Sequence, residues 1–382
     1  MTASITRRQA LAAGAFWLAA PRLALAEAAT ERRFVFILQR GAADGLSIVV
    51  PEGDPALAGL RGGLAVDTAA TRLDGFFGLH PSLAEWHRLY TQGEALFVHA
   101  VASPYRDRSH FDGQNVLETG GHAPHELRDG WLNRLVGLLP RARGEAVALA
   151  PTVPMALRGA APVVSYAPSA LPQAREDLAA RVAHLYEGDP QLHALWSAAM
   201  QARGMASGME RARQQDPATL GRLAAGFLAR PQGPRIAMIE TGGWDTHSAQ
   251  LPRLAGTLRS LDALLLALRK GLAAAWSQTV VLVATEFGRT VAANGTGGTD
   301  HGTGAAAMLA GGAVQGGRVI ADWPGLAPGA LHEGRDLRPT LGLDAFIAAL
   351  AAESFGLDPA RAAKVLFPRL GGRPALPRLL RA

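Results

Sequence analysis

A short apolar run rich in β-branched residues, 279–284 (TVVLVA), passes without a linker into Glu286, Arg289 and a glycine-rich loop ending in Gly-Thr-Asp-His-Gly, which delivers Asp300 and His301. A run this short and apolar, with helical patterning before it and turn residues after it, predicts a central strand of a parallel sheet covered on both faces. Open parallel sheets place ligands beyond the carboxyl ends of their strands, so acidic and imidazole side chains at that point are candidates for a functional site. The plain alternative is a polar loop.

The same pattern recurs along the chain. Residues 33–39 (RFVFILQ) run into Arg-Gly-Ala-Ala-Asp-Gly, where flanking glycines permit a tight turn that presents Asp44. Asp-Gly is also an ordinary turn signal, but its place after the first strand favours function. Residues 95–101 (ALFVHAV) lead into SPYRDRSHFDGQ, in which Ser109 opens a helix. Unsatisfied backbone donors there favour an oxyanion, so Ser109 is a candidate nucleophile, with Arg106 and Arg108 able to hold an anion. Ser109 with Asp112 equally fits a capping box that only stabilises the helix. Residues 235–240 (RIAMIE) end in TGGWDTH, and Asp245 and His247, two apart on an extended segment, can point to one side and share a metal. One such pair is weak; several strand ends carrying carboxylates or histidines argue for a shared site.

Between these strands the pattern predicts helices. Ser82 caps one that carries Leu83, Trp86, Leu89 and Tyr90, and a long helix over 247–276 buries the stripe Leu251, Leu254, Leu258, Leu261, Leu265 and Leu268. Residues 170–230 read as a helical insertion or cap with breaks at Gly188-Asp189-Pro190 and Asp216-Pro217. Residues 305–310 and 317–320 read as a strand pair, 340–355 as a final helix and 371–382 as a loose tail. His80, His87, His184 and His193 read as structural or surface residues.

Composition narrows the function classes. With 382 residues, 48% of them hydrophobic, the chain can build a large α/β core. Its formal net charge is +6, yet lysine occurs only at 270 and 364 and the arginines are dispersed, so no basic, aromatic-laced block supports nucleic-acid binding. An anionic small molecule or surface remains an open partner. Cysteine is absent, which excludes disulfides, thiolate metal sites and a cysteine nucleophile.

The first 26 residues read as an export signal: Arg7-Arg8 precede a short apolar stretch, residues 12–20, and the small-x-small site Ala24-Leu25-Ala26. Paired arginines in that setting address the twin-arginine export machinery and predict a periplasmic or secreted protein. After Ala26 no apolar run approaches the ~18 residues of a membrane span.

Taken together, FILQRGAADGL, SPYRDRSHFDGQ, ETGGWDTH, TEFGRT and GGTDHG resemble a bacterial family of twin-arginine-exported proteins of unknown function, grouped with the alkaline phosphatase and sulfatase superfamily. The resemblance implies one doubly wound, mostly parallel α/β domain over 27–370 with a metal site at the carboxyl edge of its sheet. It implies that Asp44, Asp245, His247, Glu286, Asp300 and His301 hold divalent ions (zinc, manganese or calcium), that Ser109 is the alcohol nucleophile, and that Arg106, Arg108 or Arg289 hold anionic oxygens. The superfamily commonly has Asp then His where this chain has Glu286 and Phe287, with Asp300 and His301 restoring an imidazole. The sulfatase pattern needs Cys or Ser where Ala102 stands. The expected function is an exported metal-dependent hydrolase of phosphate or sulfate esters; the alternative is a non-catalytic exported binding protein.

Replacing Arg7 and Arg8 with lysines is expected to retain the precursor in the cytoplasm, because the receptor reads the arginines. Cell fractionation tests this, and normal delivery of the variant contradicts the assignment.

Overall fold

The computed structural model describes residues 31–64, 70–139, 146–167, 176–189, 191–193, 196–197, 200, 216–231, 233–371 and 376–381. The expected export signal, residues 1–26, lies outside them. Nine strands form the main sheet: β1 (Arg33–Gln39), β2 (Ala95–Ala102), β3 (Ala146–Ala148), β4 (Val163–Ser165), β5 (Ile236–Thr241), β6 (Thr279–Thr285), β7 (Ala305–Ala310), β8 (Arg318–Ile320) and β9 (Leu341–Gly342). Their spatial order is β8-β2-β7-β6-β1-β5-β3-β4, with β9 also pairing β2. Only β7 runs against the others, so the sheet is mostly parallel, as the sequence predicts.

The centre is built from continuous apolar runs because helices cover both faces. Alternation along β1 sends Val35 and Ile37 to one core and Phe34, Phe36 and Leu38 to the other. On the first face lie α1 (Ala84–Thr91), α4 (Pro217–Leu228) and α5 (Gln250–Leu272), contributing Trp86, Leu223, Phe227 and the leucines of α5. On the second lie α3 (Trp131–Leu138), α6 (Leu343–Phe355) and α7 (Pro359–Leu366), with Trp131 edge-on to Phe36 at a centroid distance of 5.2 Å. A further helix, α2 (His110–Thr119), follows β2. No described helix is long and apolar enough to cross a membrane.

Several expectations need correction. Residues 305–310 and 318–320 do not pair with each other; both flank β2, because the connection between them turns around that strand. Ser82 caps nothing: α1 begins at Ala84, and the Asp262 carboxylate on α5 accepts from the amides of Glu85 and Trp86. Leu251, in the first turn of α5, is exposed, while Leu264 and Leu272 join the buried stripe. Within the expected insertion, residues 170–175, 190, 194–195, 198–199 and 201–215 lie outside the described set, while Glu176–Tyr186 is helical as expected. The Asp216-Pro217 break is the start of α4, with Asp216 accepting from the Thr219 amide and Pro217 in the first turn. That helix is a core layer rather than a cap, since Gly221 lets it press against the Leu264 carbonyl of α5. The expected loose tail is anchored at residues 379–380: Leu379 and Leu380 are buried, and both amides donate to Glu353.

His99 on β2 lies between Phe77 and Trp323 with centroid distances of 5.5 and 5.0 Å. Its Nδ1 accepts from the Ala100 amide at 2.8 Å and its Nε2 meets the Val49 carbonyl at 3.0 Å. That geometry fixes a neutral ring, and burial pushes its pKa down to about 4. The unfolded chain binds the proton near pH 6.5, so stability is full above that pH and is lost as pH falls toward 4, by up to about 3 kcal/mol. Urea unfolding should show this loss reduced in His99→Gln; identical pH slopes for the two proteins contradict it.

Candidate metal centre

Parallel register brings three exits to one edge: Gln39 at the end of β1 stands opposite Thr241 of β5 and Thr285 of β6. The turn after β1 then packs directly on the turn after β5. A Cβ on Gly41, whose φ is +120°, would lie 2.7 Å from the Asp245 amide nitrogen, so glycine is required there. The Gly41 amide donates to Glu286 Oε1 at 2.8 Å.

Glu286 is fully buried. Its Oε1 also accepts from His110 Nδ1 at 2.8 Å and Gln114 Nε2 at 3.0 Å, and Oε2 lies 2.9 Å from the Thr285 hydroxyl. Arg40 holds the Gln114 oxygen at 2.7 Å, which turns the amide nitrogen toward Glu286. Burial alone raises the Glu286 pKa, but His110, Gln114 and the Gly41 amide outweigh it and hold the carboxyl below its usual range.

Each of three histidines uses Nδ1 in the same way. His110 Nδ1 meets Glu286, His301 Nδ1 meets the Arg108 carbonyl at 3.0 Å, and His247 Nδ1 meets Asp300 at 3.1 Å. With Nδ1–H donating, each Nε2 presents a lone pair, the tautomer a metal ligand needs. His247 Nε2 lies 3.0 Å from both His301 Nε2 and Asp245 Oδ1, and His301 Nε2 lies 3.3 Å from Asp245 Oδ1. His110 Nε2 lies 3.6 Å from Asp245 Oδ2 and is buried without a hydrogen-bond partner. Ligand atoms of His110, Asp245 and His301 all fall within 4.8 Å of one another. Neighbouring lone pairs repel, so this arrangement is complementary to a cation. The Glu286 hydrogen bond raises the His110 pKa, while burial and the His110 and Arg289 charges lower that of His301.

Asp245 is half exposed and receives Arg289 Nη1 at 2.8 Å. Partial burial pushes its pKa up, but Arg289 and the two imidazoles bring it below the ordinary value. Buried Arg289 is itself held by the hydroxyl and carbonyl of Thr299, and a tight bridge pairs residues 289 and 301. The glycines of that loop are needed for this approach: a Cβ on Gly288 would sit 1.8 Å from the Gly304 carbonyl oxygen.

The sequence-predicted residues therefore divide. Asp245, His247 and His301 converge, joined by His110, which the sequence reading passed over although it follows Ser109 in the SPYRDRSHFDGQ segment. Glu286 and Asp300, expected as ligands, stand behind His110 and His247 as hydrogen-bond acceptors. Asp44 is away from the cluster, enclosed by a bidentate Arg61, Ser47 Oγ at 2.7 Å and Gln250 Nε2 at 2.6 Å. Burial raises its pKa, but Arg61, Ser47 and Gln250 hold it low. Ser109 occupies the N-cap position of α2 without a side-chain capping bond, and Asp112 faces His125 instead, so the capping box does not form. Arg106 folds back on the carbonyls of Ser103 and Tyr105, and Arg108 pairs with Glu333 and Asp336.

The sequence profile of a protein of unknown function, DUF1501, matches residues 78–366. The chain belongs to the DUF1501 family. That bears out the resemblance to a family of unknown function; β1 and Asp44 precede the matched range. No curated protein matches the sequence. Among solved structures, this DUF1501 chain is similar to Ps i-CgsB in complex with k-i-k-neocarrahexaose, at 12% identity and a TM-score of 0.44, covering 86% of this chain and 72% of that one. It is also similar to the C-terminal periplasmic domain of EcEptC from Escherichia coli in complex with Zn, at 10% identity and a TM-score of 0.35, covering 74% and 73%. A third likeness is to alkaline phosphatase from the Antarctic bacterium TAB5, at 11% identity and a TM-score of 0.34, covering 73% and 90%.

Asp44→Ala leaves Arg61 buried and unpaired, so it is expected to cost about 3–5 kcal/mol in metal-free protein, read by urea unfolding. Unchanged metal-free stability, with metal affinity lost, would instead make Asp44 a ligand.

Proposed function

We propose that this chain is an exported, metal-dependent hydrolase of phosphate or sulfate esters. The observation that carries the reading is the convergence of three imidazole Nε2 atoms on Asp245, each ring oriented by a fixed acceptor at Nδ1. His110, His301 and Asp245, with His247 beside them, would hold a divalent ion, and the buried, unpartnered Nε2 of His110 fits that role. Three imidazoles suit zinc better than manganese or calcium, which favour oxygen ligands. Bound there, the ion supplies positive charge that polarises the ester.

The chain's own residues do the rest. Ser109 stands one position before His110 with its hydroxyl free of a capping bond, which suits an attacking alcohol. The first turn of α2 offers backbone donors and the positive end of the helix dipole to a developing oxyanion. Arg289 keeps Asp245 ionised and in place. The amino-terminal reading supports the periplasm or the exterior as the place of action, and an anionic ester or surface as the partner.

One observation favours the non-catalytic alternative, an exported metal- or ligand-binding protein. Arg106, Arg108 and Arg289 all have intramolecular partners, so none is poised to clamp an anion. Metal analysis of purified protein with a panel of phosphate and sulfate esters separates the two readings, since bound metal without turnover favours the alternative.

Ser109→Asp is the sharper test. The substitution keeps a helix-compatible N-cap but removes the alcohol and adds charge against an anionic substrate. The hydrolase reading expects a folded variant, within about 1 kcal/mol of wild type, that is inactive on any ester the wild type cleaves. Retained turnover removes Ser109 as nucleophile.

A further inference from the structure

The strand end that carries Asp245 also borders a cleft of about 970 Å³, lying between residues 241–244, the first half of α5 and residues 149–151 after β3. That is the size of a small-molecule site. One part of its lining is apolar (Leu149, Pro151, Leu220 and Leu261), while Glu240, Arg253 and Ser260 supply polar groups. The exposed Arg253 guanidinium donates to the carbonyls of Asp245 at 3.1 Å and Ser248 at 3.3 Å, tying the cleft's rim to the backbone of the metal centre.

Two of the glycines that line the cleft have free space where a side chain would stand. A Cβ on Gly242 would meet nothing within 4 Å, and one on Gly256 would meet only the tip of Arg259 at 3.9 Å; neither has a left-handed φ. Gly256 lies inside α5, where glycine weakens a helix relative to almost any other residue except proline. No backbone approaches it closely enough to require glycine. Both positions therefore have room for a larger side chain at the cleft.

We infer that this cleft receives the alcohol portion of the substrate, and that this portion is large and amphiphilic, with an apolar face. The word substrate rests on the hydrolase reading; the cleft as a site for an amphiphilic anion does not. The ester's anionic end would lie toward Asp245 and the histidines, and its apolar face against Leu149, Leu220 and Leu261.

Calorimetry on the mature, zinc-loaded chain with n-octyl phosphate and methyl phosphate as probes tests the inference. Octyl phosphate is expected to bind at least about tenfold more tightly, since each buried methylene adds affinity. Gly242→Leu and Gly256→Leu should each remove that advantage while leaving methyl phosphate affinity and zinc stoichiometry unchanged and melting temperature no lower than wild type. Gly256→Leu puts a better helix former into α5, so its folding is not in question. Equal affinity for the two probes, no binding of octyl phosphate, or full octyl phosphate affinity in both variants overturns the inference. An octyl advantage lost in the variants, with no hydrolysis by wild type, upholds the cleft and removes the hydrolase reading. Hydrolysis of both esters at equal kcat/KM does the reverse.

Discussion

Everything at the candidate site depends on the parallel register of β1, β5 and β6. Because Gln39, Thr241 and Thr285 lie side by side, chain exits from positions 39, 241 and 285 emerge at one edge and must pack on each other. The close approach of Gly41 to the Asp245 backbone and the Gly41 amide bond to Glu286 follow directly from that register. A slip of one residue in β1 would turn Phe34, Phe36 and Leu38 into the opposite core, so the packing of both faces fixes the register and hence the site.

Around the converging imidazoles the charges are arranged in two tiers. Asp245 alone offers its carboxylate to the centre, while Glu286, Asp300 and the Arg108 carbonyl stand behind the rings and decide which nitrogen faces inward. Arg108 makes this possible by adopting a φ of +60°, a left-handed conformation costly for a residue with a Cβ, held by its pairs with Glu333 and Asp336. Arg40, through Gln114, extends the same logic one step further from the centre. Loss of such an outer partner typically lowers metal affinity about 10–100-fold.

The sheet was legible in the sequence because parallel strands buried on both faces are short apolar runs ending in turn residues, and residues 33–39 and 279–284 say so without ambiguity. The convergence of Asp245, His247 and His301 was legible because they stand at such ends. His110 was not, since in SPYRDRSHFDGQ the serine draws attention, and nothing local reveals that Glu286 lies behind the imidazole from 176 residues away. Asp44 misled for a related reason: an aspartate after the first strand reads as a ligand until Arg61 and Gln250, both distant from it in pattern, are seen to enclose it. The antiparallel course of β7 and the burial of Leu379 and Leu380 likewise depend on partners that only the fold supplies.

The central claim is that His110, His301 and Asp245, with His247 at hand, form a metal centre while Asp44 and Glu286 do not ligate. Anomalous X-ray diffraction from zinc-loaded crystals of the mature chain measures this directly. The account predicts a peak roughly 2.0–2.2 Å from the Nε2 atoms of His110 and His301 and from an Asp245 oxygen. A peak bound by Asp44 or Glu286, or stoichiometric zinc located elsewhere on the chain, would contradict it.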